Sequence, residues 1–310
     1  MNRSQRALAL KIAKALLPAE NYERVTDIPF GDEGYGYDVF GLEKESAVLT
    51  YAIARYVYLH WFRVESAGHE NVPLEGRALI SPNHSGVIPI DGAMIGIDLV
   101  EKLPTPRVMR AMVDNFMGFL PFLNVFFYRV GQVVGARRNF EDLLKAEEIV
   151  CVFPEGTKGI GKPYSQKYRL VRFNVGFVEL AVRFRVPIVP TAVVGAEEQA
   201  PMLYNIKPIA RALNFPYFPV TPLFPHFGIL GAIPLPVKYT IRYGEPFRFY
   251  ESYPPEATDD PELMQGLAEK VQLRVQEMID DMLAGRESVF GFGDGPRREP
   301  RPRRRQRRME

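Results

Sequence analysis

Between residues 75 and 245, short apolar runs alternate with stretches whose apolar residues recur at helical spacing. Runs of about four to eight apolar residues bounded by turn residues predict buried strands. We predict strands, in chain order, in GRALIS, RVMRAMV, GQVVGA, IVCVF, VPIVPTAVVG and VKYTIRYG, and helices in FEDLLKAEE and VGFVELAVRF. This alternation predicts an α/β fold with a mostly parallel central sheet flanked by helices.

The longest apolar region precedes this alternation and runs from Ser46 to Val64. Its Val, Leu, Ile and Phe residues favour membrane insertion by about 3 kcal/mol, but Arg55 near the centre costs about 2.5–3.5 kcal/mol. The sum is near zero, so a membrane-spanning helix is not predicted. The region's Tyr and Trp residues fit a helix that lies at a membrane interface, and an ordinary buried helix fits as well.

Two further segments have the same double interpretation. Near the N-terminus, Leu8, Ile12, Ala15 and Leu16 share one helical face, which indicates either an interfacial helix or a surface helix docked on the domain. Residues 215–236 are apolar but rich in proline, which forbids a regular helix, so they either cap the core or form an apolar lid that touches lipid. A helix follows later, with apolar residues at helical spacing from Leu267 to Met278.

Composition restricts the class of protein. Hydrophobic residues make up 46% and charged residues 25%, as in ordinary folded proteins, and the net charge of +2 does not indicate a nucleic-acid partner. The last 16 residues, however, contain eight arginines and almost nothing apolar, which predicts a disordered tail. This tail is either a solubilising terminus or a segment attracted to anionic lipid headgroups.

Polar side chains follow several of the predicted strands directly. Ligands of an open parallel sheet bind beyond the carboxyl ends of its strands, so these side chains are expected to gather at one edge. The group consists of His84, Asp91, Arg137, Glu155, Thr157 and Lys158.

Within this group, His84 and Asp91 have the chemistry of a base and its orienting acid. A neutral imidazole accepts a proton near pH 7, and a carboxylate on the other ring nitrogen fixes the tautomer and stabilises the resulting cation. Taken alone, two residues seven positions apart fit a structural hydrogen bond as well as a catalytic pair.

Other chemistries have weaker support. Gly156, Gly161 and Lys162 follow a strand as in a phosphate-binding loop, but Pro163 stands where the Mg²⁺-binding Ser or Thr belongs. Ser85 is not part of a G-x-S-x-G elbow, and the single cysteine, Cys151, reads as a buried strand residue in a protein of a reducing compartment. No zinc-binding motif occurs, so a metal site is not expected.

Four ordered blocks of this chain resemble the glycerolipid acyltransferase family that includes the lysophosphatidic acid acyltransferases. They are NHSGVIPID from Asn83 to Asp91, GQVVGAR ending at Arg137, FPEGT from Phe153 to Thr157, and VPIVP at 186–190. The family's usual block spaces histidine and aspartate by five residues, whereas the spacing here is seven. The longer, proline-bearing loop is similar to that of relatives acting on neutral glycerolipids.

The resemblance implies transfer of a fatty acyl group from a thioester, on coenzyme A or acyl carrier protein, to a glycerolipid hydroxyl without an acyl-enzyme. His84 would act as general base and Asp91 would orient it. The substrate-binding residues that it implies are Asn83, Arg137, Glu155, Gly156, Thr157 and Lys158. It implies no cofactor beyond the thioester co-substrate.

The predicted organisation has three parts: a helical membrane-interface segment at 1–65, an acyltransferase domain at 66–285, and a disordered arginine-rich tail at 286–310. The protein is expected at the cytoplasmic face of a membrane, with no nucleic-acid partner; the oligomeric state stays open. Two alternatives stand beside acyl transfer: a thioesterase or lipid hydrolase that uses the same base on water, and a non-catalytic lipid-binding protein.

Overall fold

In the part of the chain that the structure describes, a seven-stranded sheet with helices on both faces forms the centre of the protein. The structure is a computed structural model and describes residues 3–32, 34–84, 89–114, 122–212, 215 and 217–291. The strands of the sheet are β1 (Glu65–Ala67), β2 (Ala78–Pro82), β3 (Met109–Val113), β4 (Val133–Val134), β5 (Ile149–Cys151), β6 (Ile188–Val194) and β9 (Thr240–Tyr243). A separate hairpin pairs β7 (Tyr204–Asn205) with β8 (Pro219–Val220).

The helices fill the connections. They are α1 (Arg3–Leu16), α2 (Ala19–Thr26), α3 (Lys44–Tyr56), α4 (Ile90–Lys102), α5 (Leu123–Arg129), α6 (Arg137–Lys145), α7 (Thr157–Ile160), α8 (Gly176–Arg183), α9 (Ala196–Gln199), α10 (Lys207–Ala212) and α11 (Pro261–Ala284). A π-helical turn, Val57–Trp61, continues α3. Short 3₁₀ turns lie at His69–Asn71, Tyr164–Gln166, Gly228–Ala232, Phe249–Glu251 and Pro255–Asp259.

The spatial order of the sheet is β1-β9-β6-β2-β5-β3-β4. Strands β2, β3, β4, β5 and β6 run parallel, and the prediction of a mostly parallel sheet is confirmed. The exceptions are β9, which pairs antiparallel with β6, and the edge strand β1, which pairs parallel with β9 and so runs in the same direction as β9. Because neighbouring strands lie about 4.8 Å apart, β5 and β6 are the immediate neighbours of β2, whereas β4 is about 14 Å away.

Alternate side chains of the buried strands enter two separate apolar clusters. Ile80 joins the cluster with α1, α3 and α4, whereas the adjacent Leu79 joins the cluster with α6, α8 and α11. Successive strand residues point to opposite faces, so both faces of the sheet are covered. The predicted N-terminal segment therefore contributes to the same core as the sheet, since Val48 and Tyr51 pack in the first cluster.

A buried carboxylate links this N-terminal segment to the sheet. Asp98 of α4 accepts hydrogen bonds from Tyr58 (2.6 Å), Ser66 (2.5 Å) and Tyr243 (2.8 Å), and lies 3.1 Å from Nε2 of His69. Burial raises the pKa of Asp98, but the hydrogen bonds outweigh burial and hold this pKa below its ordinary value. The network fixes the π-helical turn and β9 against α4.

The first residues of the predicted tail, 286–291, contact the folded domain. The Arg286 guanidinium bonds to Glu198 and to the Val289 carbonyl, and Arg63 donates to the Phe290 carbonyl at 2.7 Å. Residues 286–291 therefore belong to the folded part, because two half-buried arginines hold the Val289 and Phe290 carbonyls. The arginine-rich residues 292–310 lie outside the described residues.

Candidate active site

Adjacent parallel strands bring two of the predicted site residues together. His84 follows β2, and Glu155 follows β5, the strand next to it. The His84 backbone N–H donates to Oε1 of Glu155 at 2.9 Å, so the two loops are joined at the carboxyl edge of the sheet. The predicted convergence of chain-distant residues at this edge is confirmed for this pair.

The His84 imidazole is oriented from two sides. Its Nδ1 lies 2.9 Å from Oδ2 of Asp91, which sits in the first turn of α4 and is fully buried. The Phe153 ring stacks on the imidazole with centroids 3.9 Å apart. The seven-residue spacing therefore brings the carboxylate onto the imidazole; residues 85–88 between them, including Ser85, lie outside the described residues.

The contact between Asp91 and Nδ1 determines which nitrogen of the His84 ring can accept a proton. A carboxylate at Nδ1 favours the tautomer that carries its hydrogen on Nδ1, so Nε2 presents the lone pair of a base. The His84 side chain is 9% exposed, so the ring is held in place by its surroundings. The geometry suits removal of a proton from a bound hydroxyl group.

Glu155 is occupied by the protein on both oxygens. While Oε1 accepts from His84, Oε2 accepts from the Val171 N–H at 2.9 Å and lies 3.3 Å from Nζ of Lys162. Glu155 is buried. Glu155 therefore holds the His84 loop, and the expectation that it also binds substrate stays a prediction.

Asn83 and Gly156 also have roles in the backbone of the site. The Asn83 amide is buried and pairs with the Val193 backbone in both directions, at 3.0 and 2.7 Å, so it fastens the loop to β6 instead of facing a substrate. Gly156 adopts φ 58° and ψ −155°, a conformation restricted to glycine, and its N–H donates to the Phe153 carbonyl. Its N–H is thus used to close the turn.

Of the two predicted cationic residues, Lys158 lies next to the Glu155 turn and Arg137 lies at the far end of the sheet. Lys158 is exposed and Thr157 is half-buried in α7, directly after the Glu155 turn. Arg137 follows β4, three strands from β2, where it bonds to Glu179 at 2.9 Å and to Glu141 at 3.3 Å. The structure does not bring Arg137 to His84, because β5 and β3 intervene in the sheet.

One residue near the site, Tyr217, had no role in the sequence-based expectations. Tyr217, from the proline-rich segment, lies beside Gly161, the residue directly after α7. A Cβ added at Gly161 would be 3.9 Å from the Tyr217 ring. Burial, reinforced by the negative charge of Asp91, raises the pKa of the Tyr217 hydroxyl. The proline-rich segment therefore reaches the site, and its apolar composition was the signal in the sequence.

Two residues that the sequence offered for other chemistries, Cys151 and Lys162, are buried in the structure. Cys151 is fully buried in β5, and burial raises the pKa of its thiol well above the ordinary value, so it is not a nucleophile. Lys162, the lysine of the partial phosphate-loop pattern, is buried between carboxylates. Across the described ranges, no group of three or more His, Cys, Asp and Glu residues is arranged to hold a metal ion.

Gly159 provides a steric test of the site. A Cβ at this position would lie 2.7 Å from Cβ of Glu155 and 3.1 Å from the His84 carbonyl oxygen. We expect Gly159→Ala to displace both residues, to lower turnover at least tenfold, and to destabilise the protein by about 1–3 kcal/mol. Activity assays and thermal unfolding measure these effects.

The matched control for Gly159→Ala is Gly266→Ala. Gly266 is in α11, where an added Cβ meets nothing within 4 Å. We expect this variant to keep its activity and to gain up to about 1 kcal/mol of stability, since alanine favours a helix over glycine. Equal activity in the two variants would contradict the close packing of Gly159 against the site.

Comparison with known proteins places this site in a family. The acyltransferase family matches residues 63–194, which include both His84 and Asp91. An uncharacterised protein of Mycobacterium bovis is 38% identical over 84% of this chain and 72% of its own length, and one of Mycobacterium leprae is 39% identical over 84% and 71%. The chain belongs to the acyltransferase family. It is accordingly an acyltransferase.

The fold of this acyltransferase also resembles a solved structure. The crystal structure of the 1-acyl-sn-glycerophosphate acyltransferase of Thermotoga maritima aligns over 93% of this chain and all of its own, with a TM-score of 0.50 and 16% identity. At that identity the likeness concerns the fold alone. A "DGAT1/2-independent enzyme synthesizing storage lipids" of Gallus gallus is 26% identical over 70% of this chain and 61% of its own length.

Proposed function

We propose that this acyltransferase moves a fatty acyl group from an acyl thioester to a glycerolipid hydroxyl, with His84 as the general base. The 2.9 Å contact between Nδ1 of His84 and Asp91 carries the proposal, because it leaves Nε2 as the proton acceptor. The thioester is on coenzyme A or on acyl carrier protein. The chicken relative, named for storage lipids, supports a glycerolipid acceptor.

The proposed step is a direct transfer. Nε2 of His84 takes the proton of the acceptor hydroxyl as its oxygen bonds to the thioester carbonyl carbon. The C–S bond breaks, the ester is formed, and the imidazolium returns the proton to the leaving thiolate. Asp91 stabilises the imidazolium between these events. Both substrates must be held in register, which in comparable reactions lowers the barrier by about 7–11 kcal/mol.

Product analysis tests this proposal. Purified protein is given an acyl thioester with vesicles that contain monoacylglycerol, diacylglycerol or lysophosphatidate, and thiol release is measured beside ester formation. We expect thiol release that depends on an acceptor, with one ester formed for each thiol. Free fatty acid formed equally with and without acceptor would overturn transfer in favour of hydrolysis.

We further propose that the reaction takes place at the cytoplasmic face of a membrane. In the described part of the chain, no helix combines the length and the hydropathy required to cross a bilayer. The helix α1 instead docks through Ala9 and Ala13 and exposes Leu8, Ile12 and Leu16. The helix is docked on the domain, and the apolar stripe that it presents supports the proposal that it also lies at a membrane interface.

Exposed apolar side chains also lie on elements other than α1. Helix α3 packs against α1 and α5, and its outer side exposes Ile53 and Tyr56. The indole N–H of Trp61 donates to the Pro234 carbonyl at 3.1 Å, which joins this side to the proline-rich segment. That segment exposes further large apolar side chains, namely Phe215, Phe227, Leu230 and Ile233. An apolar surface of this kind favours insertion into a lipid interface.

The basic end of the chain supports anionic lipid as the partner. The last described residues are anchored beside Trp61, because Arg63 bonds to the carbonyls of both Pro236 and Phe290. The following stretch, 292–310, contains eight arginines and three acidic residues. Each basic residue near an anionic surface contributes about 1 kcal/mol, so the tail and the apolar stripe act as two attachment signals.

Vesicle flotation tests the membrane proposal. We expect the wild-type protein to float with vesicles that contain anionic lipid, and Leu8→Gln/Ile12→Gln/Leu16→Gln to lower the bound fraction at least tenfold, because three apolar side chains no longer leave water. The control is Leu273→Gln, which changes an exposed leucine of α11 and should leave binding unchanged. Equal loss in both variants, or no flotation of the wild type, would contradict the proposal.

A further inference from the structure

The ammonium group of Lys162 is buried directly behind the Glu155 turn. Its side chain is 4% exposed, and Nζ lies 3.3 Å from Oε2 of Glu155, 3.2 Å from Oε1 of Glu197 and 3.0 Å from the Arg169 carbonyl oxygen. The three acceptors match the three N–H bonds of an ammonium group. Such a charge is costly to bury unless it is paired, and these three acceptors provide the pairing.

Lys162 reaches the catalytic histidine through a single side chain. Glu155 accepts from Lys162 on Oε2 and from the His84 backbone on Oε1. Oε2 also accepts from the Val171 N–H at 2.9 Å, so the lysine and this amide together hold one end of the carboxylate. The lysine supplies the positive charge of this arrangement, and the carboxylate that it holds presents Oε1 to the His84 backbone N–H.

The opposite side of the ammonium is closed by Glu197 of α9, which follows β6. Burial raises the pKa of Glu197 to about 7, although Lys162 acts to lower it and Glu155 to raise it. The adjacent Glu198 is paired separately, with Lys167 and Arg286. Lys162 and Glu197 form a buried pair of opposite charges, and a glutamine at position 197 keeps the size of the side chain while removing its charge.

We propose that Lys162 is a positioning residue of the acyl transfer reaction, which holds Glu155 so that the His84 loop keeps its imidazole aligned with the acceptor hydroxyl. This role rests on the proposed function, since it concerns the same base. It also gives a purpose to the lysine whose place in the sequence resembles a phosphate-binding loop.

Three variants separate positioning from folding. Lys162→Met leaves two buried carboxylates without their cation, so it should lower both the melting temperature and kcat. Lys162→Met/Glu197→Gln removes one charge of each sign, and should regain most of the melting temperature. Lys167→Met removes the neighbouring, more exposed ammonium from Glu198, and should stay within about twofold of wild-type kcat.

The decisive readout is kcat of ester formation by the double variant. We expect it to remain at least tenfold below the wild type, with KM for the thioester changed less than about twofold, because the histidine is displaced while the binding surface remains. A double variant with wild-type kcat would overturn the positioning role and leave the proposed function intact. Wild-type protein that forms no ester with any acceptor would overturn both.

Discussion

Replacing His84 with alanine is expected to lower kcat of ester formation by about 10²- to 10⁴-fold, the range associated with loss of a general base. Nδ1 of the imidazole contacts Asp91, and this contact leaves Nε2 as the proton acceptor. Asp91 also accepts from the Gly92 N–H at 2.9 Å. The variant should therefore fold with a modest loss of stability, about 1–3 kcal/mol, after Asp91 loses its imidazole partner.

Two comparisons make this result specific. His60→Ala removes an exposed histidine from the π-helical turn and should leave kcat unchanged. His84→Ala/Asp91→Asn should be about as slow as His84→Ala alone, since residues that act as one unit are not additive. Multiplicative losses in the double variant would show that Asp91 acts independently of the imidazole.

The second large effect is expected for Asp91→Asn. An asparagine keeps the size of the side chain but removes the negative charge, and its amide N–H₂ can donate to Nδ1 and place the imidazole hydrogen on Nε2. The corresponding change in a serine protease triad lowers kcat by about 10⁴. We expect a loss of about 10²- to 10⁴-fold here, with KM for the thioester nearly constant.

The result for Asp91→Asn has a matched control in the second histidine–carboxylate pair, His69 and Asp98. Their 3.1 Å contact lies in a network with Tyr58, Ser66 and Tyr243. Asp98→Asn should lower the melting temperature more than it lowers kcat. If Asp91→Asn had the same pattern, with stability lost and kcat kept, the role of Asp91 as orienter of the base would be wrong.

Much of the fold was predictable because strands buried on both faces are nearly continuous apolar runs. VPIVPTAVVG and GRALIS correspond to β6 and β2, the pair at the centre of the sheet. The antiparallel direction of β9 was not predictable, since strand direction depends on the path of the connecting chain and leaves no mark in the alternation of VKYTIRYG. The buried face of α1 was also not predictable. Its small residues Ala9 and Ala13 permit close packing against α3, so Leu8 and Ile12 are left exposed.

The centre of the site was predictable from chain order alone. His84 follows β2 and Glu155 follows β5, and these two strands are neighbours in the sheet. The rule that ligands bind at the carboxyl ends of parallel strands therefore applied directly. Arg137 followed the same rule and still does not reach His84, because the rule specifies the edge of the sheet but not the position along it. The order of strands, which is set by long-range pairing, placed β4 at the far end.

The roles of single side chains required the structure. Asn83, Glu155 and Lys162 are polar residues in or near motifs, which at the level of sequence resemble substrate ligands. In the structure their polar atoms bond to Val193, His84, Val171 and Glu197. A buried polar group must be satisfied by the protein, and burial of a loop residue cannot be read from its neighbours in sequence.

The central claim is that the His84 imidazole takes the proton from the acceptor hydroxyl. Its most direct test is the rate of ester formation by His84→Ala, measured as imidazole is added to the buffer. The account predicts a rate without imidazole at least 100-fold below the wild type, and a rate that rises with imidazole concentration. Ester formation at the wild-type rate in the absence of imidazole would contradict it.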